Sequence, residues 1–358
     1  MKKELEFDRR RFLKVSALTL GATMIGIPQH SFGQGKPPDS IVSMAGGGDW
    51  GKVYKEVVCD PWTKKSGVQV ILFTGEPPEG VAKIRANIEN PPMHLVFIPE
   101  AMVPDSVKWG ILDPMSLKTV PNLKDVKPWF HDRFDNYVCT NNYIFCVLLY
   151  NKKKIKNVPK TWVETVDRTI KGEFGRRISF PSLSYGYAYP FFWAVGKELG
   201  DKVEKMDATF EKFRLMKPYV PKFWTTAVEA LNLIEAGEVD IVVYWEHRGW
   251  KFVDQGHEDW DIAIPAPGVY EGTVMGKVKN AHPIVFDLLN FILDKEIQSK
   301  WAEGISTHPV NSKSKTSPKM QARFDRTTPK GDLFTAPAAE IAKVKQEWLD
   351  RWNKEIGG

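Results

Sequence analysis

The chain has 358 residues, of which 42% are hydrophobic and 26% charged, and its formal net charge is +6 at pH 7. This length is long for one hydrophobic core and suits two lobes. Half of the net charge lies in the first 33 residues, and no later basic run is dense enough for a nucleic-acid interface. We therefore expect no nucleic-acid partner.

The first 33 residues have the sequence pattern of an export signal. Asp8 is followed by Arg9, Arg10 and Arg11, then by Phe-Leu-Lys and an apolar stretch over residues 15–27. That stretch is shorter than the roughly 20 residues of a membrane-spanning helix. The pattern resembles a twin-arginine signal, which is an address rather than an anchor. We expect cleavage after Gly33 and delivery of the folded mature protein to the periplasm.

The rest of the chain alternates short apolar runs with amphipathic segments, which is typical of an α/β protein with mostly parallel strands. We predict strands at residues 40–44, 68–73, 95–98, 143–150, 177–180, 239–244 and 261–265. Helices are expected at residues 51–65, 79–90, 187–199, 224–236, 282–293 and 337–356, with further helices ending near Gly110 and starting at Thr161. Residues 311–334 are polar and are interpreted as a surface connection.

Ligands of open α/β sheets bind beyond the carboxyl ends of the strands. In this sequence those ends carry many aromatic and acidic residues, with one further carboxylate in an expected loop at residues 268–273. The candidate ligand-binding residues are Asp49, Trp50, Glu76, Glu100, Tyr185, Tyr187, Trp245, Glu246, Arg248 and Glu271.

Two of these strand ends have alternative interpretations. Residues 46–52 match Gly-x4-Gly-Lys, but Val53 replaces the Ser or Thr of a phosphate-binding loop, so nucleotide hydrolysis is not expected. The glycines either offer backbone amides to a ligand or only form a tight turn. Trp245 either stacks on an organic cation or only packs at the edge of the lobe. Arg248 either binds a carboxylate or phosphate of the ligand or lies on the surface.

No catalytic or metal-binding constellation is visible in the sequence. The histidines are scattered, without ligand spacing, and no nucleophile elbow is present. Cys59, Cys139 and Cys146 are an odd set; Cys139 and Cys146 could form a disulfide or remain buried thiols. We expect no metal and no cofactor, and an exported enzyme is the alternative from another functional class.

Several stretches resemble ABC-transporter substrate-binding proteins, over nearly the whole mature chain. The similarity lies in Tyr150-Asn151 with Pro159–Trp162, in residues 230–245, in residues 283–302, and in His308–Asn311. The branch that it resembles is the polyamine (spermidine/putrescine-like) branch. Trp50 and Trp245 stand where that family places ligand-contacting aromatics, whereas His94 replaces an Asp and Glu271 and Thr273 depart from the polyamine pattern.

The resemblance implies a two-lobed periplasmic binding protein fold (type II), with a hinge and a ligand cleft between the lobes. Lobe 1 would contain residues 34–146 and about 270–310, and lobe 2 would contain residues 147–269 and about 311–358. The implied function is capture of a small organic solute, with a polyamine-like cation favoured, for delivery to an ABC permease. An organic anion is the alternative ligand, and we expect a monomer.

Overall fold

The computed structural model describes residues 36–45, 47–185, 188–328 and 334–357. The predicted signal over residues 1–33 lies outside these residues, and so does Tyr187. Residues 35–358 form one compact unit. Within the described ranges, no helix is both long and apolar enough to cross a membrane.

The first half of the chain alternates strands and helices, as its pattern predicts. Its elements are β1 (Ser40–Met44), α1 (Gly48–Tyr54), α2 (Asp60–Ser66), β2 (Gln69–Phe73), α3 (Pro77–Ala86), β3 (Leu95–Pro99), α4 (Val103–Lys108), β4 (Leu112–Asp113), β5 (Cys139–Asn151), α5 (Trp162–Ile170) and β6 (Ile178–Pro181). A π-helical turn, Lys55–Cys59, joins α1 to α2. The predicted start of α5 is confirmed, because the Thr161 side chain caps it by accepting a bond from the Glu164 amide.

The second half contains more helices than the sequence indicates. Its elements are α6 (Tyr189–Leu199), α7 (Asp207–Met216), β7 (Phe223–Trp224), α8 (Ala227–Glu235), β8 (Ile241–Trp245), α9 (Glu246–Asp254), β9 (Trp260–Ala263), β10 (Val269–Val278), α10 (Ile284–Ile292), α11 (Lys295–Ile305), β11 (His308–Pro309), α12 (Pro318–Thr327), β12 (Phe334–Thr335) and α13 (Ala338–Glu355).

Three predictions for this half are wrong. Residues 269–273 of the expected loop belong to β10, and the expected surface connection contains α12, which buries Met320 and Phe324. Trp224 belongs to β7 and not to the following helix.

The sheet is mixed, which corrects the prediction of mostly parallel strands. Its order is β2-β1-β3-β10-β5-β8-β6-β7. The outer groups are parallel, since β1 pairs with β2 and β3, and β6 pairs with β7 and β8. The central β10 and β5 run antiparallel to each other and to their other neighbours, β3 and β8. The parallel groups therefore lie on either side of an antiparallel centre.

The long strand β5 connects the two parallel groups. Its first part, up to Phe145, pairs with β10, and from Cys146 onwards it pairs with β8. Cys139 and Cys146 are buried free thiols. Seven residues of extended strand separate their Cα atoms by roughly 23 Å, far beyond the 7 Å limit of a disulfide.

Two large hydrophobic clusters flank this crossing. One contains Tyr54, Phe97 and Trp301 under α1 and α11. The other contains Phe192 against Trp348, with α13 packed on α6. The predicted C-terminal helix is thus confirmed, and its tryptophans anchor it to the second cluster.

Candidate functional site

A cavity of about 380 Å³ lies at the carboxyl ends of β1, β2, β3 and β8. Residues of α1, α3, α9, β5 and β10, of the segment after β6, and of the end of α11 with the segment after it also line the cavity. This volume falls within the range of small-molecule sites, about 300–1,000 Å³. The cavity therefore occupies the position at which sheets of this kind bind ligands.

Five of the ten candidate residues line this cavity. They are Trp50, Glu76, Tyr185, Trp245 and Arg248. They come from the first turn of α1, the turn after β2, the segment after β6, the last position of β8 and the first turn of α9. The fold thus brings together residues that are almost 200 positions apart.

Trp50 is held in place by a cluster of aromatic rings. Its ring centroid lies 5.3 Å from that of Tyr54, 5.0 Å from Phe97 and 5.0 Å from Trp301. The contacts with Phe97 and Trp301 are edge-to-face, a geometry favoured by aromatic quadrupoles. One wall of the cavity is therefore a rigid indole.

Trp245 and Tyr185 form another part of the cavity lining. Trp245 is 3% exposed, and its indole N–H donates a hydrogen bond to the Tyr185 hydroxyl. The Tyr185 ring packs on Trp224 with centroids 5.0 Å apart. Burial raises the pKa of Tyr185, while the positive charge of Arg248 opposes this shift.

Charged and ionisable groups are few in this cavity. Glu76 and Arg248 line the cavity and are exposed. Neither forms a salt bridge with another described residue. His247 also lines it, and burial followed by repulsion from Arg248 lowers its pKa to about 3. The imidazole is therefore neutral at physiological pH.

Two candidate carboxylates serve other contacts. Asp49 is exposed and forms an ion pair with Lys251 of α9, outside the cavity lining. Glu246 is fully buried; it accepts hydrogen bonds from the Phe145 amide at 3.3 Å and from His308 Nε2 at 3.0 Å, and also from the Thr327 hydroxyl. Glu246 therefore joins α9 to β5, β11 and α12 and does not face the cavity.

The remaining two carboxylates border a separate cavity of about 30 Å³. Glu100 is 4% exposed and forms a bidentate pair with Arg133, with Nη1 to Oε2 at 2.8 Å. Glu271 is 8% exposed, and its Oε2 has no hydrogen-bond partner among the described residues. Burial, reinforced by the negative charge of Glu100, raises the pKa of Glu271 well above its usual value.

Among the lining residues outside the candidate set, three polar ones stand out: Asn142, His247 and Thr307. Each has a buried side-chain polar atom without a hydrogen-bond partner in the described chain: Asn142 Nδ2, His247 Nδ1 and Thr307 Oγ1. The polar run Thr140-Asn141-Asn142 at the start of an otherwise apolar strand was a usable signal. Thr307 follows a helix and offered no comparable signal.

No group of His, Cys, Asp and Glu residues in the described ranges could hold a metal ion. The arrangement at the cavity contains aromatic walls, one carboxylate, one guanidinium and neutral polar groups. Such a set can bind a small molecule, and it contains no nucleophile–base pair among the residues that the structure describes.

Comparisons with known proteins agree with a binding site. The model of the family described as "bacterial extracellular solute-binding protein" matches residues 58–328. The thiamine-binding periplasmic protein of Escherichia coli K12 is 22% identical over 237 residues, which cover 64% of this chain and 65% of that protein. The chain thus spans less than two thirds of the length of this curated relative.

Solved structures match over a larger share of the chain. A Bordetella parapertussis protein classed as an extracellular solute-binding protein superposes with a TM-score of 0.79 and 25% identity, covering 89% of this chain and 99% of that one. An ABC transporter substrate-binding protein from Bradyrhizobium japonicum USDA 110 gives a TM-score of 0.74 at 19% identity, covering 89% and 100%.

Proposed function

Because the chain belongs to the bacterial extracellular solute-binding proteins, we propose that it captures a small organic cation for an ABC importer. The structural matches confirm the predicted two-lobed α/β fold of periplasmic binding proteins. Members of this family are solute receptors and not enzymes, which agrees with the prediction from the sequence. The polyamine branch and the lobe boundaries remain predictions.

One observation carries the cation proposal. Three aromatic rings, those of Trp50, Tyr185 and Trp245, line the same cavity as the carboxylate of Glu76. Aromatic faces attract cations by about 0.5–2 kcal/mol, and a carboxylate adds charge complementarity. The relative from Escherichia coli is named for thiamine, which is an aromatic cation, so thiamine joins putrescine and spermidine as a probe.

Isothermal titration of the mature chain (residues 34–358) with thiamine, putrescine and spermidine tests this proposal. We expect binding of at least one cation, weakened roughly 5- to 30-fold by Trp50→Ala through loss of about 1–2 kcal/mol. Trp109→Ala is the matched control, because Trp109 is 38% exposed and lies outside this cavity. Absence of heat with all three cations at millimolar concentration, together with binding of glutarate, would refute the proposal.

An organic anion is the second candidate, and Arg248 favours it. The guanidinium lines the cavity and pairs with no carboxylate of the described chain, so it could bind a carboxylate of the ligand. Arg248→Ala separates the two candidates. The affinity for a cation should stay equal or rise when a like charge is removed, whereas the affinity for an anion should fall at least 10-fold.

We also propose export to the periplasm through the twin-arginine signal and docking to an inner-membrane permease as a monomer. The extracellular family supports export. Replacing Arg9 and Arg10 by Lys should retain the unprocessed chain in the cytoplasm, as measured by fractionation and immunoblotting. Normal processing of that variant, with the product in the periplasm, would count against this route.

A further inference from the structure

The inner part of the 380 Å³ cavity differs from its rim in both burial and charge. Asn142 of β5 and Thr307 before β11 line the cavity, although they are only 4% and 3% exposed. Glu76 and Arg248, in contrast, are exposed lining residues. The charged groups therefore lie towards solvent, and the neutral polar groups form the floor.

The floor residues have unused hydrogen-bonding capacity. Asn142 Nδ2, Thr307 Oγ1 and His247 Nδ1 are buried and have no partner within the described residues. Burial of an unsatisfied polar atom carries a free-energy cost, and native proteins rarely leave several of them together. A ligand that supplies the missing partners would recover this cost, and the three atoms border one cavity.

The floor is also an unfavourable environment for a cationic group. Glu246 is next to His247 in the chain, but it is turned away and bound to His308 and Thr327. Glu271 does not line this cavity. An ammonium group placed on the floor would lose its hydration without gaining a carboxylate partner, which is costly.

We propose that Asn142, Thr307 and His247 bind an uncharged hydrogen-bonding group of the solute, such as a ring nitrogen or amide that offers an acceptor. The cationic part then lies among Trp50, Trp245 and Glu76. This inference rests on the proposed cation receptor and narrows its ligands. It favours a cation with a neutral heterocyclic or amide group over a linear polyamine whose polar groups are all ammonium donors.

Titration calorimetry with two floor variants and one matched control tests the inference. Thr307→Val and Asn142→Leu remove polar atoms that have no hydrogen-bond partner among the described residues, so both variants should fold with unchanged or higher Tm. Thr140→Val is the control, because Thr140 Oγ1 is equally buried and unpartnered but does not line the cavity. The probes are thiamine, which carries an aminopyrimidine ring, and putrescine and spermidine, which have no acceptor group.

We expect thiamine to bind, with at least 10-fold weaker binding in Thr307→Val and Asn142→Leu and unchanged binding in Thr140→Val. Thiamine binding that stays within twofold in both floor variants would overturn the inference and leave the receptor proposal intact. Binding of putrescine or spermidine, with no binding of thiamine, would likewise overturn the inference and leave the receptor proposal intact. If none of the three probes binds, the proposed cation receptor fails, and the inference fails with it.

Discussion

At the scale of single residues, burial and partners decide what each carboxylate does. Glu76 and Glu246 both follow a strand end in the sequence and were equivalent candidates. Glu76 is exposed and lines the cavity, whereas Glu246 is fully buried and accepts three hydrogen bonds. The sequence identifies the residue type and its place after a strand, but the side-chain direction depends on α9 beginning at Glu246.

Glu246→Gln should lower the free energy of unfolding by about 1–3 kcal/mol, because an amide cannot satisfy His308, Thr327 and the Phe145 amide equally well. Urea denaturation at pH 7 measures the change. Glu76→Gln is the matched control, for which we expect native stability but weaker cation binding. Equal stability of the two variants would show that Glu246 is not the structural link described above.

Glu271→Gln should change the pH dependence of stability. The raised pKa of Glu271 means that the folded state holds a proton that the unfolded state releases at lower pH. The protonated Glu271 therefore contributes its full share to the free energy of unfolding below the ordinary pKa near 4.5. This stability is lost as the pH rises towards the raised pKa of the folded state. The variant should therefore match the wild type at pH 4 and exceed its stability at pH 8 in urea denaturation. A stability difference between the variant and the wild type that is the same at pH 4 and pH 8 would contradict this expectation. Glu79→Gln, at an exposed position, is the control.

At the scale of elements, apolar runs predicted the strands of the outer groups and local turn signals predicted several helix ends. Gly237 has a φ of +68°, as expected of the residue after a helix end. β10 was missed because Gly272 and Gly276 break its pattern. Gly276 is required by packing, since a Cβ there would lie 2.9 Å from the Tyr137 carbonyl oxygen; a Cβ at Gly272 would lie 2.3 Å from Glu100 Oε1 and would displace that carboxylate.

Helix α12 was missed because only a narrow stripe of it is apolar, and its position depends on ion pairs with α9. Arg323 donates to both oxygens of Asp254 at 2.8 and 2.6 Å, and Lys319 donates at 2.8 Å. These bonds, chiefly those from Arg323, lower the pKa of Asp254 to about 2. Such long-range pairing leaves no periodic signal in the sequence.

Asp254→Asn should flatten the stability profile at acid pH. A lowered pKa stabilises the fold above the ordinary value of 3.8, and this contribution is lost as the pH falls towards 2. At pH 7 the variant should lose no more than about 1 kcal/mol, because Asp254 is partly exposed and its charge is screened. Thermal unfolding between pH 2 and pH 7 measures both effects, with the exposed Asp60→Asn as control. An unchanged slope below pH 4 would refute the assignment.

At the scale of the whole molecule, half of the candidate residues selected by the strand-end rule line one cavity. The rule works for Trp50 and Trp245 because Trp50 lies in the first turn of α1, shortly after β1, and Trp245 is the last residue of β8. It cannot find Asn142, which lies within β5, or Thr307, which follows α11. Those residues meet only when β5 crosses between the two strand groups and β11 pairs beside it.

The change of partners along β5 also supports the proposed division into lobes. β5 leaves β10 and joins β8 at Phe145 and Cys146, beside the boundary expected at residue 146. Trp50 and Trp245 belong to the strand groups on opposite sides of this crossing. A solute held between these two residues would therefore contact both groups at once, as a solute receptor requires.

A crystal structure of the mature chain with the cation that gives the strongest calorimetric signal tests the central claim most directly. We predict that the cation lies in the 380 Å³ cavity, in contact with Trp50 and Trp245, and that its charge faces Glu76. A cation bound elsewhere, or tryptophan rings turned away from a shared cavity, would contradict the account.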